Sequence, residues 1–234
     1  MSLFDTETQT LLRNMEARYQ LEDHVFQLGE NEVLIKVVSD SEALLDELIA
    51  KGSDHPDVED ERIPYWADLW HSAIALAEWV SEHPVVNPAS QVLELGCGLG
   101  MSGIAAGLKG ANVLQTDYLP EALDMAALCW RLNILRVPQT AILDWRDPQT
   151  DFRPQVLLAA DVMYEERNGP PLLKAIKHLL PENGVLLLTE PGRPMGQAFL
   201  EQLPAEGFSV QRSKREVWFK KHRVNVHQAE IRWA

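Results

Sequence analysis

The chain has 234 residues, 46% of them hydrophobic, and its 35 acidic and 21 basic residues give a formal net charge of −14. This length predicts one main α/β domain with a small addition, and the hydrophobic content excludes a disordered chain. No apolar run is long enough to cross a bilayer, and the polar first ten residues are unlike a secretory signal. An acidic surface disfavours nucleic acid, whose binding relies on neutralising phosphates.

The net negative charge has two interpretations. It suits a cationic substrate such as a lysine side chain or a basic protein face, and it also serves solubility alone. The two cysteines, Cys97 and Cys129, fall in separate predicted elements, which argues against a disulfide and for a cytoplasmic location. We therefore expect a cytoplasmic protein without a membrane or nucleic-acid partner, and we leave its oligomeric state open.

The first part of the chain predicts a small extension, residues 1–60, ahead of a main domain, residues 61–234. In chain order the extension contains an amphipathic helix at 1–20 and a β-hairpin with strands at 24–28 and 32–38. A second helix follows at 41–51, and an acidic loop at 52–62 leads into the main domain. The main domain opens with an amphipathic helix at 68–81 that is rich in Ala, Leu and Trp.

Strands and helices then alternate. The predicted strands are 91–95, 112–116, 140–143, 156–160 and 184–189, and the helices are 101–109, 120–132, 170–180 and 194–203. Alternation of this kind predicts a parallel sheet with helices on both faces. Two final strands, 209–219 and 224–233, are joined by a tight turn and must therefore pair antiparallel.

A glycine-rich turn follows the first strand of this series. Residues 92–103 read V-L-E-L-G-C-G-L-G-M-S-G, so Gly96, Gly98 and Gly100 stand two apart where a helix begins. Such turns let a nucleotide-like ligand approach the backbone closely. The run also fits the G-x-G-x-x-G pattern of dinucleotide sites, but the carboxylate of Glu94 would repel a pyrophosphate. It favours a cationic ligand such as S-adenosylmethionine (SAM).

Acidic and aromatic residues follow the next two strands. Asp117 lies about twenty residues after the glycines, where a carboxylate accepts hydrogen bonds from ribose hydroxyls; alternatively it caps a turn before Pro120. Asp144 could accept a hydrogen bond from an adenine amino group while the Trp145 indole packs on the purine. The alternative for Trp145 is a tryptophan buried in a short crossover.

The fourth strand is followed by Asp161-Val162-Met163-Tyr164 at the carboxyl edge, where open α/β sheets bind ligands. Methyl transfer needs a positioned, deprotonated nucleophile. Asp161 could hold a substrate amine, and Tyr164 could orient it and offer a π-face; Asp161 could instead cap the next helix. The Asn-Pro-Pro-Tyr sequence typical of enzymes that methylate amides or base amines is absent here.

Three further segments allow both a functional and a structural interpretation. Tyr65, Trp66 and Trp70 could wall the ligand cleft or pack in the core, and His71 beside them is more typical of an ordinary polar residue than of a functional one. Arg193, in E-P-G-R-P, could bind a carboxylate or lie on the surface. The basic residues at 212–223 could protect the end of the sheet from edge pairing or dock an acidic protein. The scattered histidines indicate no metal site.

With these residues in hand, the chain resembles class I SAM-dependent methyltransferases. More closely, it is similar to the family-16 protein-lysine methyltransferases and their bacterial relatives, which include enzymes that modify the electron-transfer flavoprotein β subunit. Four segments carry the resemblance: P-Y-W-A-D-L-W-H-S-A-I-A-L-A (64–77), V-L-E-L-G-C-G-L-G-M-S-G-I-A-A (92–106), L-D-W-R-D (143–147) and A-D-V-M-Y (160–164). A fifth segment, E-P-G-R-P (190–194), is similar to the flavoprotein-modifying branch.

The resemblance implies a Rossmann-like fold with a mostly parallel seven-stranded sheet, and SAM across the glycine turn as the methyl donor, leaving S-adenosylhomocysteine. Asp161 and Tyr164 are then the expected catalytic residues. The residues expected around the cofactor are Trp70, Glu94, Gly96, Cys97, Gly98, Gly100, Asp117, Tyr118, Asp144, Trp145 and Ala160. The expected activity is N-methylation of a protein lysine. The alternatives are methylation of a small amine or N-heterocycle and a non-catalytic SAM-binding module, with an NAD-linked reductase more distant.

Overall fold

The computed structural model describes residues 5–234. Its helices are α1 Thr6–Arg18, α2 Ser41–Ala50, α3 Pro56–Glu59, α4 His71–Glu82, α5 Met101–Leu108, α6 Pro120–Asn133, α7 Gly169–Leu179 and α8 Pro194–Gln202. Its strands are β1 Leu21–Leu28, β2 Asn31–Val38, β3 Gln91–Leu95, β4 Asn112–Asp117, β5 Gln139–Ile142, β6 Val156–Ala160, β7 Val185–Glu190, β8 Phe208–Phe219 and β9 His222–Trp233. Within this described part, no helix is long and apolar enough to span a membrane.

Seven strands form one sheet in the order β5-β4-β3-β6-β7-β9-β8. The five strands from β5 to β7 in this order run parallel, whereas β9 pairs antiparallel with both β7 and β8. The predicted Rossmann-like sheet with an antiparallel hairpin at its end is confirmed. The direction of winding reverses between β3 and β6, and ligands of open α/β sheets bind beside such a reversal.

Helices cover both faces of the sheet because its central strands are apolar on both sides. Val156, Leu157, Leu158 and Ala159 of β6 are all fully buried. One face packs in a core that includes α4, α5 and α6, and the other in a core that includes α7 and α8. This continuous burial is typical of a parallel strand between two helical layers, and it fixes the carboxyl ends of the strands as a rigid edge.

The N-terminal extension shares the first of these cores. Met15 of α1 and Val33, Ile35 and Val37 of the β1–β2 hairpin are buried within it. The side-chain amide of Asn133 accepts from the backbone N–H of Leu34 at 2.8 Å and donates to its carbonyl at 2.7 Å. This pair of bonds ties β2 to α6. The division of the chain at residue 60 remains a prediction.

The predicted helix start at residue 68 is wrong, because α4 begins at His71. A 3₁₀ turn, Tyr65–Ala67, comes first, and Asp68 and Trp70 then have extended backbones with ψ of 154° and 145°. The Trp70 indole N–H donates to the Tyr65 carbonyl at 2.8 Å. This bond holds the segment out of the helix. The acidic loop at 52–62 contains α3, and residues 1–4 of the first predicted helix lie outside the described residues.

Candidate functional site

A cavity of about 320 Å³ opens at the carboxyl edge of β3, β4 and β6. Every residue that the sequence suggested as catalytic or cofactor-binding contributes to its lining, and so does Trp66, whereas His71 does not. Tyr65, which the sequence also suggested as a wall of the cleft, lines it too, as do four residues that the sequence did not suggest: Asp60, Arg146, Arg167 and Asn168. A volume of this size is typical of a small-molecule site, and the roles of its residues follow from their contacts.

The glycine turn has two functions in the structure. Gly96 and Gly98 have left-handed φ angles of 62° and 51° and line the cavity. A Cβ at Gly96 would lie 3.1 Å from the Trp145 ring, so the indole packs directly against the bare backbone. Gly100 also lines the cavity, but it and Gly103 are needed for packing as well, because a Cβ at Gly100 would overlap the Gln115 side chain and a Cβ at Gly103 would lie 2.6 Å from the Glu94 carboxylate. The turn therefore combines backbone that faces a ligand with close packing against β3 and β4.

Glu94 lies beneath this turn and is 3% exposed. One carboxylate oxygen, Oε2, accepts from the Gly103 N–H and from the Gln115 side-chain amide, both at 3.1 Å. Burial raises the pKa of Glu94 to about 7, against an ordinary 4.5. A carboxylate whose charge is this poorly solvated is stabilised by a nearby cation.

Asp117 ends β4 on the other side of the turn. Its two carboxylate oxygens accept from the N–H groups of Gly98 and Leu119, each at 3.1 Å. Burial raises the pKa of Asp117 to about 6. The neighbouring Tyr118 also lines the cavity, and burial raises its pKa to about 12, so its hydroxyl stays protonated at neutral pH.

These two carboxylates decide which nucleotide-like group fits. The cationic side chains in the lining are Arg146, Arg167 and Arg193, and each is paired with a carboxylate of the chain. A pyrophosphate at the glycine turn would therefore meet two buried acids and no unpaired cation among the described residues. An ammonium, a sulfonium and ribose hydroxyls suit the same acids, and SAM carries all of them.

The segment after β5 brings an arginine over the cavity. Asp144 does not point freely into the space, because its carboxylate pairs with Arg146 at 2.6 Å. Arg146 reaches at the same time to Asp60 of the acidic loop, and these hydrogen bonds hold the pKa of Asp60 below its usual value. The hydrogen bond from an adenine amino group to Asp144 stays a prediction, and Arg146 competes with adenine for the Asp144 carboxylate. The run L-D-W-R-D contained Arg146, but nothing in it indicated a contact 86 positions away.

The rest of the acidic loop is fastened to the other rim. Arg167 pairs with Glu61 at 3.0 Å and donates to the Asp60 carbonyl at 3.2 Å. It also contacts Glu165 at 2.5 Å. Asp60 therefore brings the end of the acidic loop to the wall of the cavity. Exposed ion pairs of this kind each contribute little to stability.

Asp161 is held in an unusual conformation at the end of β6. Its φ is 53°, which side chains other than glycine rarely adopt, and its N–H donates to the Thr189 carbonyl at 2.9 Å. Its carboxylate is buried and accepts from the Arg193 guanidinium at 3.0 and 3.4 Å. Glu190 fixes that arginine by accepting the N–H groups of Gly192 and Arg193 at 2.7 and 2.9 Å. Arg193 therefore binds a carboxylate of its own chain.

Aromatic rings stand next to this ion pair. Tyr164 packs on Tyr65 with ring centroids 4.8 Å apart, and Tyr65 meets Trp70 edge-on at 6.2 Å. Burial raises the pKa of Tyr164 well above its ordinary value, so its hydroxyl stays protonated at neutral pH. These three rings form an aromatic wall of the cavity.

Two other kinds of chemistry receive no support. Among residues 5–234 no group of three or more His, Cys, Asp and Glu residues could hold a metal ion. Cys97 lines the cavity, but burial raises the pKa of its thiol well above the ordinary value, so it lacks the thiolate that a nucleophile needs. Cys97 and Cys129 are both free and buried.

Solved structures share this fold. A TehB-like SAM-dependent methyltransferase from Corynebacterium glutamicum aligns with a TM-score of 0.53 at 20% identity, over 84% of this chain and 99% of that one. Magnesium protoporphyrin IX methyltransferase from Synechocystis PCC 6803 gives a TM-score of 0.56 at 16% identity, over 83% and 92%. At these identities the similarity establishes the fold and nothing finer.

Sequence comparison is more specific. The chain is 34% identical over 179 residues to protein N-lysine methyltransferase METTL21A of Danio rerio, covering 72% of this chain and 79% of that protein. It is 35% identical over 133 residues to the electron transfer flavoprotein beta subunit lysine methyltransferase of Danio rerio, covering 56% and 51%. It is 32% identical over 143 residues to the histone-arginine methyltransferase METTL23 of Rattus norvegicus, covering 55% and 62%. A family model described as lysine methyltransferase matches residues 59–205. The chain belongs to the lysine methyltransferase family.

Proposed function

We propose that this protein transfers a methyl group from SAM to the side-chain nitrogen of a lysine in a protein substrate. The observation that carries the proposal is the placement of Asp161 and Tyr164 in one cavity with the glycine turn and two buried acids, within the segment that matches the family. Relatives named as protein N-lysine methyltransferases support the choice of acceptor.

The cofactor side of the cavity is formed by β3 and β4. SAM supplies a methyl group on a positively charged sulfur. Gly96 and Gly98 leave room for its close approach, Asp117 accepts hydrogen bonds from ribose hydroxyls, and Glu94 lies beneath the turn as a buried negative charge. Trp145, packed on Gly96, borders the adenine side. These roles rest on the contacts described above and on the charge of the group to be bound.

The acceptor side is formed by the ends of β6 and β7. A lysine side chain attacks only as the neutral amine, whereas its ordinary pKa is about 10.4. The Arg193 guanidinium, paired with Asp161 at 3.0 Å, disfavours a second cation beside it and so favours the neutral form. The Asp161 carboxylate accepts an N–H of the amine, and the protonated Tyr164 hydroxyl and the Tyr65 ring orient the chain.

The remaining parts of the proposal concern the setting. The two buried, free cysteines and the net charge of −14 support a cytoplasmic protein that does not bind nucleic acid or membranes. The negative charge also suits a substrate surface that presents a lysine.

The test uses labelled SAM and a lysate from a source strain that lacks this protein, so that its target is unmethylated. We expect label in protein, recovered as methyl-lysine after acid hydrolysis. Asp161→Asn should abolish transfer and keep SAM affinity, whereas Asp151→Asn, an exposed aspartate outside the cavity lining, should change neither. Label only in small molecules would favour the small-amine alternative. SAM binding without transfer would favour the non-catalytic module, and methyl-arginine would refute the choice of acceptor.

A further inference from the structure

The β8–β9 hairpin projects beyond the sheet on the side of the cavity. The last residue of β7 to pair with β9 is Glu190, opposite His227. Past this point β8 and β9 continue as an isolated pair as far as Phe219 and His222. Five cross-strand pairs at about 3.3 Å each extend the hairpin about 16 Å past the carboxyl edge of the parallel strands. The projecting part therefore stands beside the mouth of the site.

One face of the projecting hairpin is covered. Arg215 reaches Glu82 at 2.6 Å and Glu78 at 3.2 Å, both on α4. Phe219 packs edge-on against His71 at the start of α4, with centroids 5.9 Å apart. These contacts hold the hairpin against α4, which begins directly after Trp70 of the cavity lining.

The other face is exposed and basic. Residues 212–223 contain six Lys and Arg residues and one acid in a chain of net charge −14. Trp218 lies among these cations and is 68% exposed. Arg223 contacts Glu216, and no other ion pair involves this face within the described residues. We call these exposed side chains the cationic hairpin face: Arg212, Lys214, Trp218, Lys220, Lys221 and Arg223.

The two central residues of the turn at the tip are lysines in a backbone conformation that lysine rarely adopts. Lys220 and Lys221 have φ angles of 45° and 64°. Two-residue hairpin turns with both central residues at positive φ strongly prefer Asn-Gly, because a side chain is strained in this region. The sequence has two lysines there instead, so the positive charge at the tip is accompanied by backbone strain. Observed strain of this kind is a pointer to function.

The cationic hairpin face leads directly to the acceptor end of the cavity. His227 of β9 lies opposite Glu190, the residue that fixes the Arg193 loop. A Cβ at Gly192 would lie only 3.6 Å from the His227 ring. Since neighbouring strands are about 4.8 Å apart, β9 is about 10 Å from Asp161 at the end of β6. A bound chain could contact the hairpin and place a lysine in the cavity at the same time.

We propose that the cationic hairpin face docks an acidic segment of the protein substrate and so selects the lysine that is methylated; this rests on the proposed function. Trp218 supplies the apolar anchor, a role that tryptophan and arginine fill at interfaces far more often than other residues. The opposite charges steer encounter and set orientation. A nucleic acid fits less well, because its continuous charge would extend over the acidic remainder of the surface.

The test measures binding of a labelled peptide with one lysine beside a run of glutamates, and of a peptide with glutamines in their place. The variant is Lys214→Gln with Lys220→Asn and Lys221→Gly, which removes three charges and gives the turn its preferred residues. The matched control, Arg13→Gln with Arg153→Gln and Lys177→Gln, removes three charges from outside the hairpin.

We expect the hairpin variant to bind the glutamate peptide about tenfold more weakly than wild type, since surface charge pairs are individually weak and several act together. The control triple should stay within about twofold of wild type on the same scale. The hairpin variant should also raise KM for the methylated protein with kcat and SAM affinity unchanged. Equal losses in the two triple variants, or no preference for glutamate over glutamine, would overturn the proposal.

Two further arms separate the explanations. A single-stranded oligonucleotide that binds wild type more tightly than the glutamate peptide, and loses affinity in the hairpin variant, would assign the face to nucleic acid and overturn the proposal. Peptide binding is measured without SAM, so absence of methyl transfer by the wild-type enzyme refutes the proposed function and leaves the docking result readable. Because Asn-Gly relieves the strain of the turn, the hairpin variant should be at least as thermally stable as wild type, and this result excludes misfolding as the cause of weaker binding.

Discussion

Replacing Glu94 with glutamine should make the ligand-free protein more stable at alkaline pH while weakening SAM binding. The Glu94 side chain is 3% exposed, and only its Oε2 atom accepts the bonds from Gly103 and Gln115. The amide oxygen of a glutamine has room for both bonds. The substitution therefore removes the buried charge and leaves the hydrogen bonds and the shape of the turn in place.

The magnitude follows from the pKa of Glu94, which burial raises to about 7 from an ordinary 4.5. Below pH 4.5 the carboxyl is protonated in both folded and unfolded chains, and it contributes nothing to pH dependence. As the pH rises from 4.5 to 7, the unfolded chain releases the proton while the folded chain retains it, so stability is lost. At about 1.4 kcal/mol per pH unit, the full loss is about 3 kcal/mol above pH 8.

The assay is urea unfolding of wild type and Glu94→Gln at pH 4.5 and pH 8, with Glu201→Gln, an exposed position, as the control. We expect the glutamine variant to gain about 3 kcal/mol relative to wild type on going from the lower to the higher pH. The control should gain nothing. Calorimetry at pH 8 should show weaker SAM binding by the Glu94 variant, because a buried anion near a cation is lost. A stability difference that does not vary with pH would refute the reasoning.

Three other results are expected. Asp117→Ala should weaken SAM binding by about 1–3 kcal/mol, the cost of leaving buried polar groups unpaired, and calorimetry showing full affinity would contradict the ribose role. Gly100→Ala should lower the free energy of unfolding by about 1–3 kcal/mol more than Gly29→Ala, because both have positive φ but only Gly100 lacks space for a Cβ; equal urea midpoints would be inconsistent with this packing. Arg193→Gln should move the rising limb of the pH–rate profile to higher pH by about one unit, because an unpaired Asp161 carboxylate stabilises the ammonium form of the substrate lysine. Arg193→Lys keeps the positive charge and should leave the profile in place. An unmoved profile in the glutamine variant would count against this role of the ion pair.

The sequence predicted those features that local patterns determine. Apolar runs such as 156–160 specify buried parallel strands, and a strand followed by Gly96, Gly98 and Gly100 specifies a ligand-facing turn. Because parallel strands share one carboxyl edge, the acids at their ends had to lie near each other. The seven-stranded sheet and the common lining of the cavity follow from this geometry.

Other features depend on contacts between distant residues and have no local signal. Arg193 meets Asp161 across 32 positions, and Arg146 meets Asp60 across 86. From the sequence, each arginine could equally lie unpaired on the surface, and only the tertiary structure determines which carboxylate it meets. The start of α4 at His71 has a different origin, because the Trp70 indole N–H donates to the Tyr65 carbonyl only five positions earlier, and residue propensities and hydrophobic periodicity do not report this local bond.

Methylation of a protein lysine beside Asp161 can be tested in a single experiment. The wild-type protein is incubated with labelled SAM and the unmethylated lysate, and the labelled protein is hydrolysed and its methylated amino acid identified. We expect methyl-lysine with wild type and none with Asp161→Asn, although that variant should bind SAM normally. Methyl-arginine, label confined to small molecules, or an unaffected Asp161→Asn variant would contradict it.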